Sequence, residues 1–173
     1  MSTSKISGGN SAEDRGGGNV PDEKTPALQI KKAALTDGTV KRLIELSELW
    51  VKEDCSYGMV KNERDDIKEP VYAAYDGGLI VGYAFGHFYT VEKKYTYIEP
   101  GQRCFCLDEL YVLPEYRSRG VGRKLFEAIS EYAETGAEMM TFSTSTKDYK
   151  RILKFYVEDL GCDFHDAYLI KRL

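Results

Sequence analysis

The chain has 173 residues, 42% hydrophobic and 30% charged, a composition typical of a soluble globular domain. Its formal net charge of -4 argues against nucleic-acid binding, which usually needs a basic face. No apolar run is long enough for a membrane span or a secretory signal, and the four cysteines are too sparse for a disulfide framework. We therefore expect a cytoplasmic protein with reduced thiols.

The chain divides into a polar extension and one domain. Residues 1–26 are rich in Gly, Ser, Asn and charged residues, and we expect them to be disordered because they cannot bury enough apolar surface. The domain is predicted over residues 27–173. It begins with a short strand over residues 28–32, and a helix then starts at Thr36 or Asp37, either of which can cap it.

The rest of the domain alternates between strand and helix patterns. A hairpin turn at Asp76-Gly77-Gly78 joins the second and third strands. The predicted strands cover residues 71–75, 79–90, 103–112, 139–145 and 167–172, and the predicted helices cover residues 120–135 and 149–160. This order predicts an α/β fold with a mixed sheet and helices on both faces.

A loop between a strand and a helix carries the clearest chemical signal. The run Arg117-Ser118-Arg119-Gly120-Val121-Gly122 places two glycines where the helix opens. The first turn of a helix leaves backbone N–H groups unpaired at the positive end of its dipole, and glycine lets a diphosphate approach them closely. A dinucleotide-binding loop would need a third glycine where Leu125 stands, and the Lys-Ser/Thr of a Walker loop is absent.

This loop resembles a known motif. Arg117-x-x-Gly120-x-Gly122 is similar to the acetyl-CoA motif of the GNAT superfamily, and residues 110–117 resemble its strand-and-loop approach. The resemblance implies an N-acetyltransferase whose mostly antiparallel sheet is splayed between strands 4 and 5, with acetyl-CoA as co-substrate. It assigns acetyl-CoA binding to Leu110, Tyr111, Val112, Arg117, Ser118, Arg119, Gly120, Val121, Gly122 and Arg123.

Acetyl transfer to an amine needs a base for the amine and an acid for the departing thiolate. Asp108 and Glu109 lie on the strand before the loop and resemble the acidic pair of spermidine/spermine acetyltransferases. We favour Asp108 as base or amine binder, with Glu109 second. Strand alternation places Asp108 with Cys106, Leu110 and Val112, and Glu109 on the opposite face.

Tyr156 is the candidate acid, because Phe155-Tyr156 resembles a pair in the family whose tyrosine lies near the coenzyme A sulfur. The same tyrosine also belongs to an apolar helical stripe, so a packing role stays open. Gly161 follows it one position later than the family's usual spacing.

The remaining candidates are weaker. Cys104-x-Cys106 lacks a second close pair of ligands, so we expect no metal. We expect His87 and His165 to be structural. Three functions stay open, namely acetylation of a small cationic amine, acetylation of a protein N-terminus or lysine, and acyl-CoA binding without catalysis. We expect no nucleic-acid or membrane partner, and a homodimer is compatible with the resemblance.

Overall fold

The computed structural model describes residues 28–95 and 98–171 of the chain. The expected disorder of residues 1–26 lies outside the described residues. The strands are β1 (Gln29–Ala33), β2 (Val71–Asp76), β3 (Leu79–Thr90), β4 (Arg103–Val112) and β5 (Met139–Thr141). The helices are α1 (Asp37–Lys52), α2 (Val121–Glu134) and α3 (Tyr149–Leu153), and α3 continues as a π-helix over Lys154–Asp159.

The five strands form one mixed sheet in the order β1-β2-β3-β4-β5. Strands β1 to β4 are antiparallel to one another in sequence, and β5 runs parallel to β4. The β4–β5 ladder reaches only from Cys104–Met139 to Cys106–Thr141. Beyond Cys106, β4 therefore keeps a strand neighbour on one side alone, within the described residues.

Helices cover both faces of this sheet, as predicted. On one face, the Trp50 ring of α1 stacks on Tyr111 of β4, with centroids 5.3 Å apart. On the other, Tyr132 of α2 contacts Phe88 and Phe105, with centroids 5.7 and 6.3 Å away. Buried apolar residues of both helices close the core over the strands.

An irregularity in β4 interrupts its alternation. Phe85 of β3 pairs with Glu109, but the next residue, Gly86, pairs with Leu107, so Asp108 is an extra residue in a β-bulge. Gly86 permits the close strand approach beside the bulge, because a Cβ there would lie 2.1 Å from the Cys106 carbonyl oxygen. The bulge fixes which face each acidic side chain of β4 reaches.

The predicted last strand is wrong over the residues described. No strand forms across residues 167–171, and β5 ends at Thr141 rather than near residue 145. The tail is held by a hydrogen bond from the Tyr95 hydroxyl to Asp166, at 2.6 Å, rather than by a sheet edge. Its alternating side chains stay exposed, with Leu169 at 86%, because an apolar pattern forms a strand only where a neighbour accepts it.

The predicted last helix forms, but its second half is wound more loosely than expected. The Cys162 N–H donates to the Tyr156 carbonyl oxygen at 2.9 Å, which spans more residues than an α-helical bond. A π-helix holds an extra residue per turn. This winding absorbs the additional position between Tyr156 and Gly161, and Gly161 ends the helix at a φ of 71°.

Candidate active site

The loop from Arg117 into α2 leaves its backbone N–H groups accessible. Ser118 and Gly120 adopt φ values of 59° and 77°, which turn successive amides toward a common side. Gly120 caps α2 without a side-chain hydrogen bond, and the first turn holds no acidic residue. Nothing on the helix itself therefore neutralises the positive end of its dipole.

The amides of this loop are free to bind a ligand. The first α-helical bond of α2 runs from the Lys124 N–H to the Gly120 carbonyl oxygen, at 3.1 Å. Among the described residues, the N–H groups from Ser118 to Arg123 donate to no protein acceptor. A run of such donors at a helix start is a site for a phosphate or diphosphate.

Arg117 braces this loop from behind. Its Nε donates to the Val112 carbonyl oxygen at 2.8 Å, and its Nη2 lies 2.8 Å from the Glu53 carboxylate. The guanidinium also lies over the Tyr111 ring, 5.5 Å from its centroid, and the Tyr111 hydroxyl donates to Glu53 at 2.7 Å. These bonds use the Arg117 side chain internally, so it shapes the loop rather than reaching into it.

Two other cations of the motif lie at its rim. The Arg119 guanidinium is 5.6 Å from the centroid of the Tyr116 ring. Arg123 donates through Nη2 to the Asp159 carbonyl oxygen at 2.5 Å, which ties α2 to the π-helix. Both surround the free amides with positive charge.

The open edge of β4 leads into this loop. Leu113 donates its N–H to the Val81 carbonyl oxygen at 3.0 Å. Because bonded and non-bonded pairs alternate along antiparallel strands, the backbone of Leu110 and Val112 points away from β3, toward the side without a strand neighbour. The backbone of Tyr111 points toward β3, so the structure does not bring this predicted contact residue to the edge.

The bulge brings Asp108 to a histidine. Asp108 Oδ2 lies 2.7 Å from Nδ1 of His87 on the neighbouring strand, and the two side chains are 24% and 38% exposed. Cys106, the strand partner of His87, also contacts Asp108, and burial raises the pKa of its thiol to about 11. The pairing of β3 with β4 places the side chains of His87, Cys106 and Asp108 on the face of the sheet that α1 covers. Phe105 lies on the other face, against α2.

Glu109 points to the same face, which corrects the expected alternation. Its Oε2 accepts hydrogen bonds from the Tyr83 hydroxyl at 2.7 Å and from Asn62 Nδ2 at 2.9 Å. Burial raises the pKa of this carboxyl above its ordinary value, although both hydrogen bonds oppose that change. The two acidic residues therefore lie on one face of the sheet, since the extra residue of the bulge cancels the change of face between them.

Leu110 turns to the other face, where it approaches Gly122 of α2. It therefore does not share a face with Asp108, contrary to the expectation from strand alternation. The first residue of the predicted group, Cys106, does lie with Asp108.

Tyr156 lies in a cluster of aromatic side chains beside the loop from Arg117 into α2, called the phosphate loop from here on. Its ring packs against Phe142, Phe155 and Phe126, with centroids 4.6, 4.9 and 5.8 Å away. Burial raises its pKa to about 12, so its hydroxyl holds its proton at neutral pH. Among the described residues this hydroxyl has no hydrogen-bond partner, which leaves its proton available to a ligand.

One group of potential metal ligands is present among the described residues. The ligand atoms of His87, Cys106 and Asp108 lie within 4.8 Å of one another. The expected absence of a metal is neither confirmed nor contradicted by this arrangement.

Sequence patterns missed Asn62, Tyr83 and Glu53, and they predicted only a structural role for His87. Each acts across a contact between distant parts of the chain, which periodicity does not report. The detectable signal was Gly86, since an isolated glycine within an apolar strand often marks a bulge or a close backbone approach.

Comparisons with known proteins now decide the family. A model of the acetyltransferase (GNAT) family matches residues 38–162. The chain belongs to this family. An N-acetyltransferase of Brevibacillus brevis, itself uncharacterised, is 34% identical over 122 residues, covering 70% of this chain and 74% of its own. This GNAT protein is therefore an acyltransferase, specifically an N-acetyltransferase.

Other relatives of this GNAT protein extend the comparison. The thialysine N-epsilon-acetyltransferase of Mus musculus is 35% identical over 57 residues, 33% of this chain and 29% of its own. An aminoglycoside N-acetyltransferase in complex with CoA has a TM-score of 0.60 at 18% identity, covering 85% of this chain and 95% of that one. A soil-metagenome aminoglycoside acetyltransferase with sisomicin has a TM-score of 0.58 at 18% identity, covering 84% and 96%. These structures share the fold.

Within the described residues, no helix combines the length and the apolar character that crossing a bilayer requires.

Proposed function

We propose that this protein transfers the acetyl group of acetyl-CoA to a primary amine on a small cationic metabolite or antibiotic, by direct attack in a ternary complex. The observation that carries this proposal is the run of N–H groups from Ser118 to Arg123, which have no protein acceptor among the described residues. This run follows β4, the strand that carries Asp108 and Glu109. The free amides can bind the diphosphate of acetyl-CoA, and the carboxylates of Asp108 and Glu109 can attract a cationic amine.

The co-substrate fits this surface along its length. The pyrophosphate would accept hydrogen bonds from the free amides, with Arg119 and Arg123 adding charge at the rim. The pantetheine arm would lie along the open edge of β4, where the backbone of Leu110 and Val112 is turned outward. The thioester would then lie near the bulge and the Tyr156 hydroxyl.

Negative charge near the bulge favours a cationic acceptor. The charges of Asp108 and Asp66 both raise the pKa of Glu109, so the three carboxyl groups contribute to one region of negative charge. Lys68 is the opposing charge nearby, since it lowers the pKa of Cys106. Two solved structures of the same fold are aminoglycoside acetyltransferases, one of them in complex with sisomicin, which is consistent with a small-molecule acceptor.

Tyr156 supplies the proton for the leaving group in this proposal. Its hydroxyl, whose pKa is raised to about 12, keeps its proton at neutral pH and can give it to the thiolate of coenzyme A as the C–S bond breaks. Asp108 and Glu109 provide the negative charge that attracts the cationic amine.

A panel of acceptors tests this proposal. The protein is incubated with acetyl-CoA and separately with polyamines, aminoglycosides, amino acids and peptides, and products are identified by intact mass. We expect a mass increase of one acetyl group on a small polycationic amine. Acetylation of peptides alone would replace the proposed acceptor with a protein substrate, and acetyl-CoA binding without any product would contradict catalysis.

A further inference from the structure

The contact between His87 and Asp108 has a geometry that sets the tautomer of the imidazole. A carboxylate oxygen can only accept a hydrogen bond, so the 2.7 Å contact places the proton on Nδ1 of His87. The lone pair is then on Nε2. Among the described residues no protein group bonds this nitrogen, and the side chain is 38% exposed.

The groups around His87 leave it as the available proton acceptor. Cys106 faces it from β4, and burial raises the pKa of this thiol to about 11, so the thiol stays protonated at neutral pH. Tyr89 on the same strand contributes a ring 6.3 Å away, and Lys68 contributes positive charge nearby. These neighbours add no second acceptor beside Nε2.

Glu109 is the other candidate proton acceptor on this face of the sheet, and it already accepts two hydrogen bonds. Tyr83 and Asn62 both donate to its Oε2, and burial raises the pKa of its carboxyl. A proton acceptor for a substrate must reach it directly or through one water. Nε2 of His87 has no protein partner among the described residues and meets this condition, whereas Oε2 of Glu109 already accepts two hydrogen bonds.

We propose that His87 is the general base of the acetyl transfer and that Asp108 is its positioning residue. This inference rests on the proposed function above. The neutral amine attacks the thioester carbonyl carbon and forms a C–N bond, and the proton of the resulting ammonium passes to His87 Nε2. The C–S bond then breaks, and the thiolate takes a proton from Tyr156. The imidazolium then gives its proton to solvent and the tyrosinate takes one back, so transfer from the neutral amine releases no net proton. The one proton released per turnover is the one that the ammonium form of the amine loses before it attacks.

Replacement with chemical rescue tests the role of His87. We expect His87→Ala to lower kcat by about 10²- to 10⁴-fold, the usual size of a general-base contribution, with unchanged acetyl-CoA affinity by calorimetry. Added imidazole should restore a substantial part of the lost rate, because it replaces the missing base. His165→Ala is the matched control, and we expect its rate to be near that of the wild type and unaffected by imidazole.

Two results would overturn the role of His87. One is a wild-type kcat in His87→Ala. The other is a loss that imidazole does not restore in a folded variant with normal acetyl-CoA affinity. If the wild type acetylates no amine in the acceptor panel, the proposed function fails first and the catalytic role fails with it.

A spectroscopic measurement tests the positioning by Asp108 independently of turnover. The chain has two histidines, so ¹⁵N signals of the imidazole nitrogens can be assigned with His165→Gln. We expect His87 to be the Nδ1–H tautomer in the wild type. Asp108→Asn should reduce that tautomer, because its amide N–H can donate to Nδ1. A wild-type His87 that carries its proton on Nε2 would refute the positioning.

Discussion

The phosphate loop and the bulged centre of β4 lie a few residues apart on one strand–loop–helix unit, but they use different parts of the chain. The loop presents backbone N–H groups, and its side chains, such as Arg117, brace it from behind. The bulge presents side chains, and its backbone serves to aim Asp108 and Glu109 at one face. Changes in the loop should therefore alter binding of acetyl-CoA, and changes near the bulge should alter chemistry.

The largest effect is expected from Gly122→Glu. A carboxylate in the first turn of α2 neutralises the positive end of the helix dipole and repels a diphosphate bound at the adjacent amides. We expect no measurable acetyl-CoA binding by calorimetry in a folded variant. Gly122→Ala is the control, since its Cβ would lie 3.4 Å from the Phe155 ring, an ordinary contact. Unchanged affinity in Gly122→Glu would remove the loop as the co-substrate site.

Tyr156→Phe should separate chemistry from binding. The change removes the proposed acid but keeps the ring in its aromatic cluster, so we expect kcat to fall about 10²-fold with unchanged acetyl-CoA affinity. The melting temperature should change little, because the hydroxyl has no partner among the described residues. Tyr149→Phe, on the exposed side of the same helix, is the control. A lower melting temperature with full kcat would assign Tyr156 to packing alone.

Arg117→Lys should weaken the loop without removing its amides. Lysine keeps the charge but cannot donate to Val112 and Glu53 together, and loss of one charge-assisted hydrogen bond corresponds to about a tenfold decrease in acetyl-CoA affinity. The exposed Arg64→Lys serves as control. Equal affinities for the two variants would show that the brace is not needed for binding.

The smallest effect is a change in how stability depends on pH at Glu109. Its raised pKa means that the folded protein binds this proton more tightly than the unfolded chain does. The contribution of this group to stability therefore falls as pH rises from its ordinary value of 4.5 through the raised folded value. Glu109→Gln keeps an acceptor oxygen for Tyr83 and Asn62 but removes this dependence.

Thermal denaturation at a series of pH values measures this difference. We expect the melting temperature of the wild type to decline relative to that of Glu109→Gln as pH rises through this range. Parallel curves would contradict a raised pKa at this position.

The two regions also differ in how far the sequence alone predicts them. The loop was predictable because its parts are local, with a strand, two glycines and a helix start within one short run at Gly120 and Gly122. The bulge was not, because it depends on how β3 pairs with β4 around Gly86. The same limit explains why the contact of His87 with Asp108 was missed.

The C-terminal part shows the limit from the other side. Residues 167–171 carry the alternation of a strand, but they lie exposed, since alternation cannot report whether a sheet edge is available. The loose turn after Tyr156 was visible only as a shifted Gly161, and spacing alone does not distinguish a π-turn from a longer helix.

The bulge in β4 bears on how such a site can arise in evolution. A single inserted residue in a strand normally exchanges the faces of everything beyond it. Here the extra residue, Asp108, is accommodated locally, so Leu107 and Glu109 keep the faces they would have in a strand without it. A reactive side chain can therefore be gained or lost through the insertion or deletion of one codon, while the core stays unchanged. The condition is that Gly86 is retained on the neighbouring strand, where it pairs with Leu107.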